Sequence, residues 1–414
     1  MAISSGSVAG PGGREGQAPA ATPGSAAGHP RVGIGHPLMM GVIASVVGFS
    51  STFTVVLQGF VAIGATPEQA ASGLFAICVA MGAIGIGLTL AYRMPISIAW
   101  STPGSVLFAS TGLIAGGYSA AAGAFIGAAL LVVLAGLVKP FGRLVASIPP
   151  VLANAMLAGL LLGLCLAPAK AVATEPALAL PVVIVWALVA RFKRLYAVPA
   201  AVLVAILVIA WSGPPLAGRI DHLWPDITFV APTFSIATFI SLAVPLFLVT
   251  MASQNIPGLA VMRVNGYLPP VRAIFVSTGL GSVVTALLGG HTLNMSAITA
   301  ALCAGPEAHP DPRRRWVAVI ASGSSYILLG FAATFAALLF AIAPPVLIQA
   351  AAGLALLSAF AAAMAGALEN PADRDAALVT FVTAASGLSF FGIGSAFWGL
   401  VAGGLMMALG RLGR

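Results

Sequence analysis

Long apolar runs alternate with short polar or Gly/Pro-rich breaks along nearly the whole chain. Fourteen such runs can be drawn, at 37–60, 69–92, 95–116, 119–138, 148–168, 177–190, 196–212, 235–262, 272–288, 290–305, 314–341, 345–367, 374–391 and 393–410. A helix needs about 20 apolar residues to cross the hydrocarbon. Most runs are near that length, and the shortest, 177–190, suits a tilted or partly embedded helix. The pattern predicts an all-α polytopic membrane protein.

Composition agrees. Of 414 residues, 60% are hydrophobic and 7% charged, whereas a soluble domain carries about 25% charged residues. Lipid must therefore be the solvent for most of the chain. The stretch 1–35 differs: rich in Gly, Ala, Pro and Ser, it lacks an apolar core and reads as a disordered cytoplasmic tail.

The net charge of +8 is not a nucleic-acid footprint, because the basic residues sit in short loops rather than on one face. With the N-terminus in the cytoplasm and one crossing per run, sixteen of the 18 basic residues fall on the cytoplasmic side. Only Lys170 and Arg219 fall opposite. This is a strong positive-inside bias, and it places both termini in the cytoplasm of a cell with an inner membrane.

Fourteen runs divide into seven and seven. A second copy of an odd-numbered repeat lies upside down in the membrane, a common transporter design. The expected division is 36–212 and 235–414, joined by a periplasmic connection at 213–234 that carries Arg219, Asp221, His222 and Asp226.

The third run of each half is interrupted. In the first, Ile96 to Trp100 alternate like a strand, and Ser101-Thr102-Pro103-Gly104 then carries a helix-start signal: a capping hydroxyl followed by proline. In the second, Gly289-Gly290-His291-Thr292-Leu293-Asn294-Met295-Ser296 opens with two glycines and offers cap residues before a short apolar helix. Taken alone, the first has a secondary reading as a Pro/Gly-kinked helix. As a pair they mark a substrate site near the bilayer midplane. Two half-helix N-termini would supply free N–H groups and partial positive charge, and so hold an anion without a buried arginine.

The eighth run carries Ser253, Gln254 and Asn255 in an apolar context. Such side chains either line a site or bond neighbouring helices. His291 is the only histidine inside a crossing, and no Asp or Glu lies at the centre of one. It is the expected proton carrier by elimination, the alternative being a neutral hydrogen-bond donor. Cys78, Cys165 and Cys303 fall in apolar runs with no metal-ligand spacing. No nucleotide-binding motif or catalytic constellation is present, so neither an enzyme nor a cofactor is expected. The GxxxG pairs Gly112/Gly116, Gly159/Gly163 and Gly399/Gly403 read as close-packing positions.

Pro95-Ile-Ser-Ile-Ala-Trp-Ser-Thr-Pro-Gly104 and Met251-Ala-Ser-Gln-Asn-Ile-Pro-Gly-Leu-Ala-Val261 resemble signature stretches of the benzoate/proton symporter family (BenE type). The resemblance runs from about residue 36 to the C-terminus. More distantly it extends to nucleobase transporters and to sulfate and bicarbonate carriers. It implies fourteen segments in two inverted repeats, with segments 1–4 and 8–11 as a core domain and 5–7 and 12–14 as a gate. In the nucleobase transporters, acidic residues on segments eight and ten hold substrate and couple protons; here Gln254 and His291 stand at those positions. Loss of both acids suits a substrate that is itself a carboxylate, and it leaves the proton path open.

The implied activity is proton-coupled import of benzoate or a related aromatic carboxylate by alternating access. The expected site comprises Ser101, Thr102, Gly104, Gln254, Asn255, His291, Thr292 and Asn294, with Trp100 and Phe49 as an apolar wall for the ring. An anion channel or uncoupled exchanger on the same fold is the competing expectation. A homodimer through the gate domain is a further implication of the resemblance.

Overall fold

The computed structural model describes residues 33–146, 149–212, 224–388, 390 and 393–412. Residues 1–32 of the expected tail lie outside the described residues. So do 213–223 of the expected connection, with Arg219, Asp221 and His222, and the terminal Arg414.

Every expected segment is occupied. Segments one and two are the helices Gly35–Ala62 and Pro67–Tyr92. Segment three is a strand, Ile98–Trp100, that turns into a helix, Thr102–Thr111. Segment four is Gly117–Leu137, five is Pro150–Cys165 continued by Ala167–Thr174, six is Pro176–Phe192 and seven is Ala197–Ser212. Segment eight spans Ile236–Val264, and nine is Val271–Leu287. Segment ten repeats the strand-to-helix design with Leu293–Met295 and Ala297–Ala304. Eleven is Trp316–Phe331 with Ala333–Ile342, twelve Pro345–Leu368, thirteen Arg374–Ala385 and fourteen Ser395–Leu412.

Among the described residues, seven helices are long and apolar enough to cross a membrane alone; segment eleven is an eighth if its two parts, bent by 54°, count as one span. Segments six, nine and fourteen are shorter apolar helices. The helices of segments three, ten and thirteen are short, at 10, 8 and 12 residues.

Local chemistry explains several boundaries. Segment two starts in a capping box: Thr66 accepts from the Gln69 N–H, and Gln69 accepts from the Thr66 N–H. It ends at Arg93, which takes a left-handed conformation and lies over the Trp316 ring at 4.8 Å. Segment five breaks at Leu166, just before Pro168.

Three expectations are corrected. Helix Lys139–Ala146 occupies what reads as a loop between segments four and five. Segment thirteen stops at Ala385 rather than 391, because Gly387 turns the chain with φ +67 into a bridge between Phe390 and Ile393. Gly112 and Gly116 are not packing positions. They sit in the turn after segment three with φ of +69 and +86, values open to glycine and costly for other residues. Gly159, Gly399 and Gly403 do face close neighbours, Gly159 meeting Phe381 and Ala384 and the other two Thr380, whereas Gly163 faces open space and is not a packing position.

The packing pattern carries the repeat. Segment two packs on eleven, and nine on four; a shift of seven converts one pair into the other. The same shift relates the one–three pair to eight–ten, six–seven to thirteen–fourteen, and six–twelve to five–thirteen. Segments one to four and eight to eleven thus form a core, and five to seven with twelve to fourteen form a gate. The strands of segments three and ten pair antiparallel, as inverted copies must.

Candidate functional site

The two strands form a short ribbon with Ile98 opposite Met295, Ala99 opposite Asn294 and Trp100 opposite Leu293. Further bonds extend it: the Ser101 N–H donates to the Thr292 carbonyl (3.1 Å) and the Ser296 N–H to the Ser97 carbonyl (3.0 Å). Extended backbone at this depth is tolerated only where protein satisfies its polar groups, and each strand does so for the other. Each then enters a helix through a serine cap. Ser101 Oγ accepts from the Gly104 N–H (3.1 Å), and Ser296 Oγ accepts from the Thr299 N–H (3.0 Å). The two half-helices start from opposite ends of the ribbon.

Both starts line one cavity of about 450 Å³: Thr102 and Pro103 at one helix, Ser296 and Ala297 at the other. Segment one contributes Gly48, Ser51 and Thr52, and segment eight contributes Ser253 and Gln254. The gate closes the opposite wall with Leu157, Leu161, Leu356 and the polar Asn154 and Ser358. Arg194, in the turn between segments six and seven, is the one charged residue on the described lining, and it is solvent-exposed. A mostly apolar wall with a few convergent polar groups suits a small amphipathic ligand.

Aromatic rings form one side. Trp100 and Tyr326 both face the cavity, with ring centroids 5.9 Å apart and an edge-to-face tilt of 71°. The Trp100 indole N–H donates to Thr52 Oγ1 (3.1 Å). Phe49 braces Trp100 from behind at 5.9 Å and stacks on Phe53 at 5.3 Å. A methyl group on Gly48 would collide with the Tyr326 hydroxyl, so glycine there sets the position of that ring.

Segment eight is wound as a π-helix twice, at Phe239–Ala243 and Met251–Asn255. Each π turn lies directly ahead of a proline, Pro245 and Pro257, whose missing N–H loosens the preceding turn. The second π turn divides the polar run. Ser253 and Gln254 reach the cavity, while Asn255 is fully buried against the ribbon. There its Oδ1 accepts the Met295 N–H (2.9 Å), and its amide nitrogen donates to Met251 Sδ (3.2 Å).

The rest of the expected set stands behind the ribbon. His291 is fully buried, with its ring centroid 5.4 Å from those of Phe60 and Phe108 and 6.4 Å from that of Phe125. Its Nε2 meets Ser105 Oγ at 3.1 Å. Ser105 Oγ also lies 3.4 Å from the Ser101 carbonyl, which already accepts the Ser105 backbone N–H at 3.0 Å. The Nε2–Ser105 contact admits either tautomer, and Nδ1 is buried with no hydrogen-bond partner. Nearby, Ser101 Oγ meets Thr250 Oγ1 at 2.8 Å, and Thr250 meets Thr292 Oγ1 at 3.5 Å. The Asn294 amide, oriented from its neighbours, accepts from the Ser101 N–H (3.0 Å) and donates to the Met295 carbonyl (2.8 Å).

Of the ten expected positions, Trp100, Thr102 and Gln254 line the cavity. Ser101, Gly104, Asn255, His291, Thr292, Asn294 and Phe49 support it from one layer behind. Ser253, part of the polar run noted in the sequence, lines it too, and Thr52, Asn154, Arg194, Tyr326 and Ser358 line it and were not expected. The Ser50-Ser51-Thr52 and Ser322-Gly-Ser-Ser-Tyr326 runs are sequence signals for two of these.

Comparison with known proteins places this arrangement. The chain is 41% identical to Inner membrane protein YdcO of Escherichia coli over 368 residues, which cover 89% of this chain and 94% of that one. It is 32% identical to the Benzoate membrane transport protein of Acinetobacter baylyi over 367 residues, 88% of this chain and 92% of that one. The transmembrane domain of a cyanobacterium bicarbonate transporter, BicA, superposes with a TM-score of 0.58 at 17% identity, covering 91% of this chain and 97% of that one. At that identity the likeness is one of fold, and it agrees with the core and gate described above. The family model described as benzoate membrane transport protein (BenE) matches residues 35–409, and the chain belongs to that family of membrane transport proteins.

Proposed function

We propose that the protein imports benzoate or a closely related aromatic carboxylate across the inner membrane, together with a proton, by alternating access of core against gate. One observation carries the reading: a single cavity joins two half-helix N-termini to an aromatic wall of Trp100 and Tyr326. The carboxylate sits by Thr102, Ser296 and Gln254, where helix dipoles and N–H groups favour negative charge. The ring lies against Trp100 and Tyr326. The name of the Acinetobacter baylyi relative supports the same substrate class.

Proton coupling follows from charge. An aromatic acid with a pKa of about 4 is anionic at neutral pH. Its inward movement opposes an interior-negative potential by about 2.3 kcal/mol per 100 mV, and one co-transported proton cancels that cost. His291 is the proposed carrier, linked through Ser105 to the helix that starts at the cavity. The positive-inside count makes the Arg194 side cytoplasmic, so the cavity described is open inward, with the repeats at 36–212 and 235–414. A homodimer through the gate domain belongs to the same reading.

One observation favours the competing reading of an uncoupled exchanger: no Asp or Glu lies on the described cavity wall. Purified protein in liposomes, supplied with labelled benzoate with and without an inward proton gradient, separates the two. Symport gives gradient-dependent accumulation above equilibrium. Saturable uptake that ignores the gradient supports the exchanger, and absence of saturable uptake removes benzoate as substrate.

A further inference from the structure

Segments one and twelve face each other along the boundary between core and gate, and three spaces lie in series between them. The central cavity touches Gly48, Ser51 and Thr52 on one helix and Ala355, Leu356 and Ala359 on the other. A turn further along, Phe53, Thr54, Phe340, Ile348 and Ala351 enclose only about 30 Å³, and the wall there is apolar except for Thr54. Beyond that constriction, Leu57, Gln58, Val61, Ile348 and Gln349 line a recess of about 380 Å³. It opens beside Pro67 and Pro345, the starts of segments two and twelve, at the end of the fold opposite Arg194.

Two amides stand out on this otherwise apolar wall. Gln58 is partly buried, and its Oε1 is shut away from solvent with no hydrogen-bond partner. Gln349 faces it from the gate and is exposed. A buried acceptor without a donor is unfavourable. A primary amide offers a donor and an acceptor side by side. A carboxylate is a complement to its donor side, accepting the amide N–H groups. Leu57, Val61, Phe340 and Ile348 supply apolar surface for a ring.

We propose that this recess is a second binding site for the aromatic carboxylic acid, on the far side of the gate, held by Gln58 and Gln349. The Phe53–Phe340–Ile348 constriction is the barrier between it and the central cavity. The inference rests on the transport reading above and adds a location and two residues to it.

Initial rates of labelled benzoate uptake into right-side-out and inverted vesicles test the site. Gln58→Leu and Gln349→Leu are expected to raise KM roughly five- to tenfold, the scale of one lost hydrogen bond, when benzoate is added on the recess side. Without a proton gradient, KM and kcat from the Arg194 side should stay at wild-type values, while kcat from the recess side rises in step with KM, as microscopic reversibility requires of lost ground-state binding. Gln349 is exposed, so its substitution is not confounded by folding. As a second readout, benzoate should slow labelling of Gln349→Cys by an impermeant thiol reagent applied on the recess side. Unchanged KM from the recess side in both variants overturns the subsite, and so does an equal rise from both sides. If the wild-type protein carries no benzoate in either orientation, the transport reading itself falls and the subsite with it.

Discussion

The position of one ring rests on one missing methyl group. Tyr326 keeps its hydroxyl against Gly48, and Trp100 packs edge-on against Tyr326. Gly48→Ala should push Tyr326 into the cavity and raise KM for benzoate roughly tenfold, within the 0.5–3 kcal/mol coupling typical of contacting residues. Tyr326→Phe in the same chain should recover part of the loss, since it removes the colliding atom. A double-mutant cycle on KM with no coupling between the positions would refute this account. His291 calls for a different readout, because it lies behind the ribbon. His291→Gln should abolish gradient-driven accumulation yet retain benzoate counterflow, which needs no net proton movement. Full accumulation in that variant would remove His291 as the proton carrier.

The ribbon and its two helices act as a unit, and their supports differ in strength. Loss of a serine cap costs about 1 kcal/mol, so Ser101→Ala and Ser296→Ala should each lower stability by about that amount. Asn255→Leu should cost more, about 1–3 kcal/mol, because it strands the Met295 N–H inside the protein. Denaturation of the detergent-solubilised variants checks the order, and a milder loss for Asn255→Leu than for either cap would contradict it. Legibility in the sequence divides along the same line. The two strand-to-helix breaks are readable because Pro95, Pro103 and the Gly289–Gly290 pair forbid a continuous helix, and a serine marks each restart. The π turns are not readable: hydropathy counts apolar residues but is blind to how many make a turn. Without that pitch, Gln254 and Asn255 look equivalent, although one faces the cavity and the other the ribbon. His291 was singled out as the only histidine inside a crossing, with no Asp or Glu at the centre of one. Its place behind the ribbon depends on Phe60, Phe108 and Phe125, which come from three other segments.

At the scale of the whole molecule, packing symmetry and charge give independent information. Symmetry relates the halves but says nothing about which face is cytoplasmic. The basic residues bear on that question: Arg93, Arg191, Lys193, Arg194, Arg263, Arg272 and Arg313 to Arg315 lie in or beside the connections on one side of the alternating segments. Exposed Arg194 lines the central cavity at that same end, and the recess of Gln58 and Gln349 lies beside Pro67 and Pro345 at the other. If the positive-inside rule holds here, the conformation is inward-open. Ser358 then makes a clean reporter, because it is exposed, lies on the gate wall of the cavity and stands far from the ribbon's hydrogen bonds. The native cysteines give little background, as Cys78 and Cys303 are buried and Cys165 is only partly accessible. Ser358→Cys should react with an impermeant thiol reagent from the cytoplasmic side of inverted vesicles, and benzoate should slow the reaction. In right-side-out vesicles it should stay unmodified until turnover exposes the cavity outward. Rapid labelling from the outside at rest would place the cavity mouth on the wrong face and reverse the topology.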